Sequence, residues 1–112
     1  MTKTPLIYLD DILESVQVIL EYTEDMSKEE FFTSMKDQDA VIRRFIVIGE
    51  AVARLSSEFK AKYPEVPWHQ MYGMRNHIIH GYEAINLNTI WDTSKNMLPG
   101  LRPQIEEIIA KE

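Results

Sequence analysis

Apolar residues recur along this chain at three- and four-residue intervals, and no stretch sustains the two-residue alternation of a half-buried strand. Leu9, Ile12, Leu13, Val16 and Leu20 trace one side of a helix over about 5 to 24, with Asp10, Asp11, Glu14 and Gln17 on the other. Pro5 suits the first turn of that helix, and Thr4 stands where a cap is needed. Ser27 and Glu30, three apart, predict a capping box ahead of a short helix that carries Phe31, Phe32 and Met35.

A longer helix is predicted from near Gln38 to about Lys62. Phe45, Ile48, Val52 and Phe59 mark one apolar side, widened by Ile42, Ile46 and Ala53. Gly49 falls within that side, where the missing side chain permits close approach of another backbone. On the polar side, Asp39 and Arg43, then Glu50 and Arg54, stand four apart and predict ion pairs along a solvated face. The sharper expectation is that Arg43 and Glu50 line a cleft against the histidine segment described below. Pro64 and Pro67 end the helix and stiffen a loop, and Trp68 anchors the next helix, about 68 to 80. Gly81 then suits a left-handed helix cap.

Asn86 is placed to cap a last helical region. Leu87, Ile90, Trp91, Leu98, Leu101, Ile105 and Ile108 stay in one register across Pro99–Gly100, which predicts a single helix kinked at proline. The expected architecture is all-α: one domain over 1–112, an up-and-down bundle of about five helices.

Composition narrows what such a bundle can do. The 112 residues contain no cysteine, so a disulfide framework or thiolate metal site is excluded. No apolar run approaches the roughly 20 residues needed to span a bilayer, and acidic residues interrupt any signal-peptide core near the start. A cytoplasmic protein without membrane association is expected. The formal net charge of −6 opposes general nucleic-acid affinity, so any RNA contact must be local.

Chemistry concentrates in Met74-Arg75-Asn76-His77-Ile78-Ile79-His80-Gly81-Tyr82, and all three histidines lie between positions 69 and 80. Arginine presents fixed donors to phosphate, and histidine moves protons near neutral pH, a pairing suited to a phosphodiester. On a helix, Asn76 and His80 share a face, whereas Arg75 lies about 140° from His80. His77 and His80 are three apart, but a third metal ligand is lacking, Glu83 being weak and His69 out of phase; no metal site is expected. Each residue also has an ordinary reading: His80 as a helix-end histidine, Arg75 as an ion-paired residue, Tyr82 as a rim aromatic.

Arg75-x4-His80-x-Tyr82, with Asn76 directly after the arginine, resembles the signature of the HepT-like toxins of the HEPN superfamily. The resemblance extends to Ile48-Gly49-Glu50-Ala51, to Tyr63-Pro64-Glu65-Val66-Pro67-Trp68, and to Ile90-Trp91 and Leu98-Pro99, covering nearly the whole chain. It implies a two-fold homodimer of helical bundles with arginine and histidine from both chains facing a common cleft. It implies metal-independent RNA cleavage with no cofactor, and a nucleotidyltransferase-like antitoxin partner that in some members attaches AMP to the motif tyrosine, here Tyr82.

The expected function is therefore an endoribonuclease toxin of a toxin–antitoxin pair, cleaving RNA through the ribose 2′-hydroxyl. His80 serves as general base or acid, Arg75 stabilises charge on the phosphate, Asn76 orients His80 or the substrate, and Tyr82 contacts RNA or accepts the silencing modification. Arg43, Glu50 and His77 are expected to line the cleft. The competing reading is a non-catalytic interaction protein, bound and nucleotidylated on Tyr82 by its partner.

Overall fold

A computed structural model describes residues 4–81 and 84–112 and is all-helical over them. Helix α1 (Pro5–Thr23) begins at Pro5, with Thr4 in an extended conformation before it. The Thr4 hydroxyl makes no capping bond, so proline alone starts the helix. Helix α2 (Lys28–Thr33) opens with the expected capping box: the Ser27 amide donates to Glu30 Oε1 at 2.9 Å, and the Glu30 amide donates to Ser27 Oγ at 3.1 Å.

The long central helix is shorter than its apolar pattern suggests. Helix α3 (Met35–Arg54) starts three residues earlier, capped by Ser34, and stops at Leu55, whose backbone is extended. A separate short helix, α4 (Ser57–Ala61), follows, with Ser56 Oγ accepting the Phe59 amide at 3.0 Å. The expected helix to Lys62 is thus two. Ser56 competes for the backbone at the junction, while Leu55 and Phe59 both reach the core on either side of the corner.

Helix α5 (Trp68–His80) begins directly after Pro67. The Trp68 indole N–H lies 3.1 Å from the Lys60 carbonyl and 3.0 Å from that of Tyr63, which anchors the proline loop to α4. Gly81 does not adopt the left-handed cap expected of it: its φ is −111°. Glycine is needed there for room, because a Cβ would stand 2.6 Å from the His77 carbonyl oxygen.

The last region keeps its register, and its irregularity lies in the turn just before Pro99. Helix α6 (Leu87–Asp92), capped by Asn86 Oδ1, runs into a π-helical turn (Thr93–Met97) and then α7 (Leu98–Lys111). The Leu98 amide bonds the Thr93 carbonyl, five residues back. Pro99 has no amide to continue the α-helical ladder, and the irregularity falls on the turn before it. The π turn keeps the backbone bonded through the transition.

Counting α6, the π turn and α7 as one element, the described residues form six helices, four of them long. Helix α3 packs on both α1 and α5, and α1 also packs on α7. The core joins Leu9, Ile12, Phe45, Ile48, Met71, Leu98 and Ile105, all at or near zero exposure. Phe31 of α2 plugs one side, its ring 5.4 Å from that of Trp91. No helix among the described residues is long and apolar enough to cross a membrane.

Candidate functional site

The candidate site sits where α3 crosses α5. Gly49 of α3 faces Arg75 of α5 so closely that a Cβ on Gly49 would lie 2.2 Å from the Arg75 Cβ. Two helices carrying ordinary side chains could not meet there. The close approach lets Arg75 leave α5 over the surface of α3, where its Nε donates to Glu50 Oε1 at 2.8 Å. The next residue of its own helix takes the other end: Nη1 donates to Asn76 Oδ1 at 2.8 Å. Two of the guanidinium's five N–H groups are thereby used. The side chain keeps 25% of its exposure, and its central carbon lies 5.8 Å from the centre of the exposed Tyr72 ring.

Asn76 stands between Arg75 and His80 in helical register. Asn76 lies about 100° round the helix from Arg75 and about 40° from His80. The guanidinium bonds Asn76, whose position on the helix lies between those of Arg75 and His80. His80 itself, in the last turn of α5, is exposed. Glu50 offsets the charge of Arg75, so the pair is locally neutral until an anion takes the remaining donors.

Several sequence expectations change. Asn76 accepts a hydrogen bond from Arg75, and among the described residues it makes none to His80, one of the two groups it was expected to orient. Glu50 pairs with Arg75 rather than with Arg54, and among the described residues Asp39 and Arg43 form no ion pair. Arg43 lies with Glu50, Arg54 and Asp11 along a depression between α1 and α3. His77 turns away from Arg75: its Nε2 accepts the Asn86 amide at 3.2 Å, tying the start of α6 to α5. Tyr82 lies outside the described residues, as does Glu83.

Among the described residues, no group of three or more His, Asp and Glu side chains converges as a metal site would require. Two features escaped the sequence reading. Tyr72 stands one helical turn before Arg75, a spacing that could have marked it as a platform for the guanidinium. A crevice between α5 and the α6–π segment, bordered by His77, depends on the π turn, which has no sequence signature of its own.

Comparison with known proteins adds an independent finding. A family model described as "Ribonuclease HepT-like" matches residues 12–108. A candidate RNase of Methanocaldococcus jannaschii is 47% identical over 102 residues, covering 91% of this chain and 84% of that protein. A Thermococcus cleftensis protein named "Probable ribonuclease HepT" is 38% identical over 101 residues, covering 90% and 92%. A longer M. jannaschii protein, whose name joins a gamma-glutamylcyclotransferase to a candidate RNase, is 43% identical over 109 residues. The chain spans 97% of itself but only 49% of that relative. No solved structure matches.

Proposed function

Because the chain belongs to the HepT-like ribonuclease family, we propose that it is an endoribonuclease that cleaves RNA at Arg75 and His80 and acts as the toxin of a toxin–antitoxin pair. The observation that carries this reading is the held guanidinium: Glu50 and Asn76 fix Arg75 by two bonds and leave its other N–H groups for a phosphate, on the helix that carries the exposed His80 imidazole five residues later. Such a preset donor stabilises charge as it develops on phosphate oxygens.

In the proposed reaction His80 takes the proton of the ribose 2′-hydroxyl. The 2′ oxygen bonds to the adjacent phosphorus, and the bond from phosphorus to the 5′ oxygen breaks. One strand ends in a 2′,3′-cyclic phosphate, and the leaving 5′ oxygen receives a proton from an imidazolium. Proton transfer of this kind contributes roughly 10²–10⁴-fold. The substrate supplies its own nucleophile, so the scheme needs no metal and DNA is not cut.

One protomer supplies one such imidazole and one such guanidinium. A two-fold homodimer with both α5 helices on one groove supplies a second of each, and two-fold dimers are the commonest oligomers. It also concentrates positive charge on a chain whose formal net charge is −6. The antitoxin partner is a nucleotidyltransferase-like protein that silences the toxin by attaching AMP to Tyr82; this rests on the motif resemblance.

The test is cleavage of single-stranded RNA by purified wild type, Arg75→Ala and His80→Ala, with and without chelator, alongside growth arrest on expression. The reading expects wild-type activity in chelator, none on DNA, and losses of at least about 100-fold in both variants. Metal dependence or equal DNA cleavage would overturn the mechanism. A folded, inactive wild type that is nucleotidylated on Tyr82 would favour a non-catalytic binding module.

A further inference from the structure

Beside the α5 surface that carries His80, a crevice of about 410 Å³ opens between α5 and the α6–π segment. That volume lies within the range of small-molecule pockets, roughly 300–1,000 Å³. Its apolar walls are two thioethers, Met74 from α5 and Met97 from the end of the π turn. Its polar groups are the Gln70 amide, the Thr89 and Thr93 hydroxyls and the His77 ring, and none of the residues lining it is charged at neutral pH when histidine is neutral. The Gln70 amide and both threonine hydroxyls make no side-chain hydrogen bonds among the described residues. His77 accepts the Asn86 amide at Nε2, so its neutral ring carries the proton on Nδ1 as a donor.

The π turn shapes this crevice, since its first residue, Thr93, and its last, Met97, both border it. Gly73 stands between the crevice and the motif. It is exposed inside α5, and a Cβ there would meet nothing within 4 Å. Glycine inside a helix costs stability relative to alanine, and no contact among the described residues requires it. Gly73 lies seven residues before His80, hence within about 20° of the same face. His80 and the mouth of the crevice at Gly73 therefore lie on one face of α5, about 10 Å apart along its axis.

We infer that this crevice is a nucleobase subsite, taking one base of the single-stranded RNA whose adjoining phosphate lies at Arg75 and His80. The inference rests on the ribonuclease reading and adds the group that would give it sequence preference. A base is the neutral, flat part of a nucleotide and suits an uncharged slot, whereas its phosphate requires the arginine. Sulfur packs favourably on aromatic faces, and amides and hydroxyls read the edges of splayed single-stranded bases.

The test uses the full chain labelled at its methionine methyl groups and titrated with 2′-O-methylated RNA hexamers, which the proposed reaction cannot cut. Saturable shifts of the Met74 and Met97 signals are expected, with Met35, 73% exposed, unmoved. Hexamers with abasic sugars should leave all three unmoved. Gly73→Leu, which fills the mouth of the crevice from an exposed position, should weaken binding at least 10-fold, and Thr93→Val should change which base binds best. Unmoved Met74 and Met97 at saturation, or equal shifts with abasic hexamers, overturn the subsite; so does a second copy of the chain found covering the crevice. Cleavage of unmodified RNA is scored separately. Cleavage without methyl shifts removes the subsite and keeps the nuclease, and shifts without cleavage do the reverse.

Discussion

Glu50 of α3 accepts a hydrogen bond from Nε of Arg75 on α5 at 2.8 Å, across a helix crossing that Gly49 makes possible. The carboxylate both aims the guanidinium and neutralises it. These two effects oppose each other in phosphate binding, so substitutions at Glu50 can separate them.

Glu50→Gln keeps an acceptor at Oε1 and removes the charge. It should keep kcat within a few-fold of wild type and lower KM for RNA a few-fold at low salt, an advantage that fades as salt is added. Glu50→Ala removes the acceptor too, and misplacing the guanidinium by about 1 Å should cost up to about 100-fold in kcat/KM. Steady-state kinetics on one RNA checks both; equal behaviour of the two variants would show that aiming is not what Glu50 provides.

Gly49→Ala introduces a Cβ 2.2 Å from that of Arg75, between two backbones and not against a flexible tip. The helices must separate or shift. A loss of about 1–3 kcal/mol is expected by denaturant unfolding, together with reduced cleavage because the Arg75–Glu50 bond moves with them. Unchanged stability would mean that the crossing can slide without cost.

Ser15 is fully buried on α1, and its hydroxyl has no hydrogen-bond partner among the described residues. Replacing it by alanine removes an unsatisfied polar atom and favours the helix, so Ser15→Ala should raise stability by about 1 kcal/mol. A lower urea midpoint in the variant would refute this.

Near the end of α7, the Tyr63 hydroxyl donates to the Glu112 carboxylate, and Lys62 Nζ donates to the same oxygen at 3.1 Å. The bond from Tyr63, then that from Lys62, lowers the Glu112 pKa; the bond to Glu112 raises that of Tyr63. The Glu112 contribution is present above the ordinary carboxylate value, about 4.3, and is lost as pH falls through its lower folded value. The Tyr63 contribution is present below about 10 and is lost as pH rises through its raised folded value. The pair sits at the surface with Tyr63 half-buried, so water screens it and the effect is small. The stability difference between wild type and Tyr63→Phe should peak around neutral pH and vanish in acid and in strong alkali, as urea midpoints across that range would report.

The helical class, the Ser27–Glu30 box, the Asn86 cap, the proline loop anchored by Trp68 and the close approach at Gly49 were all legible along the chain. Each depends on spacing within a turn or two, or on one side chain too small to obstruct a neighbour. Tertiary structure decided the rest. Glu50 had Arg54 at helical spacing and took Arg75 instead, because the α3–α5 crossing brought a guanidinium within bonding distance. Asn76 shares a face with His80 yet bonds Arg75, and His77 serves the start of α6. The corner at Leu55–Ser56 and the π turn before Pro99 let both flanking segments reach one core, a requirement that periodicity alone does not express. Helical period and caps are local energies that the sequence states directly. The choice among competing polar partners is made only when packed helices bring those partners together.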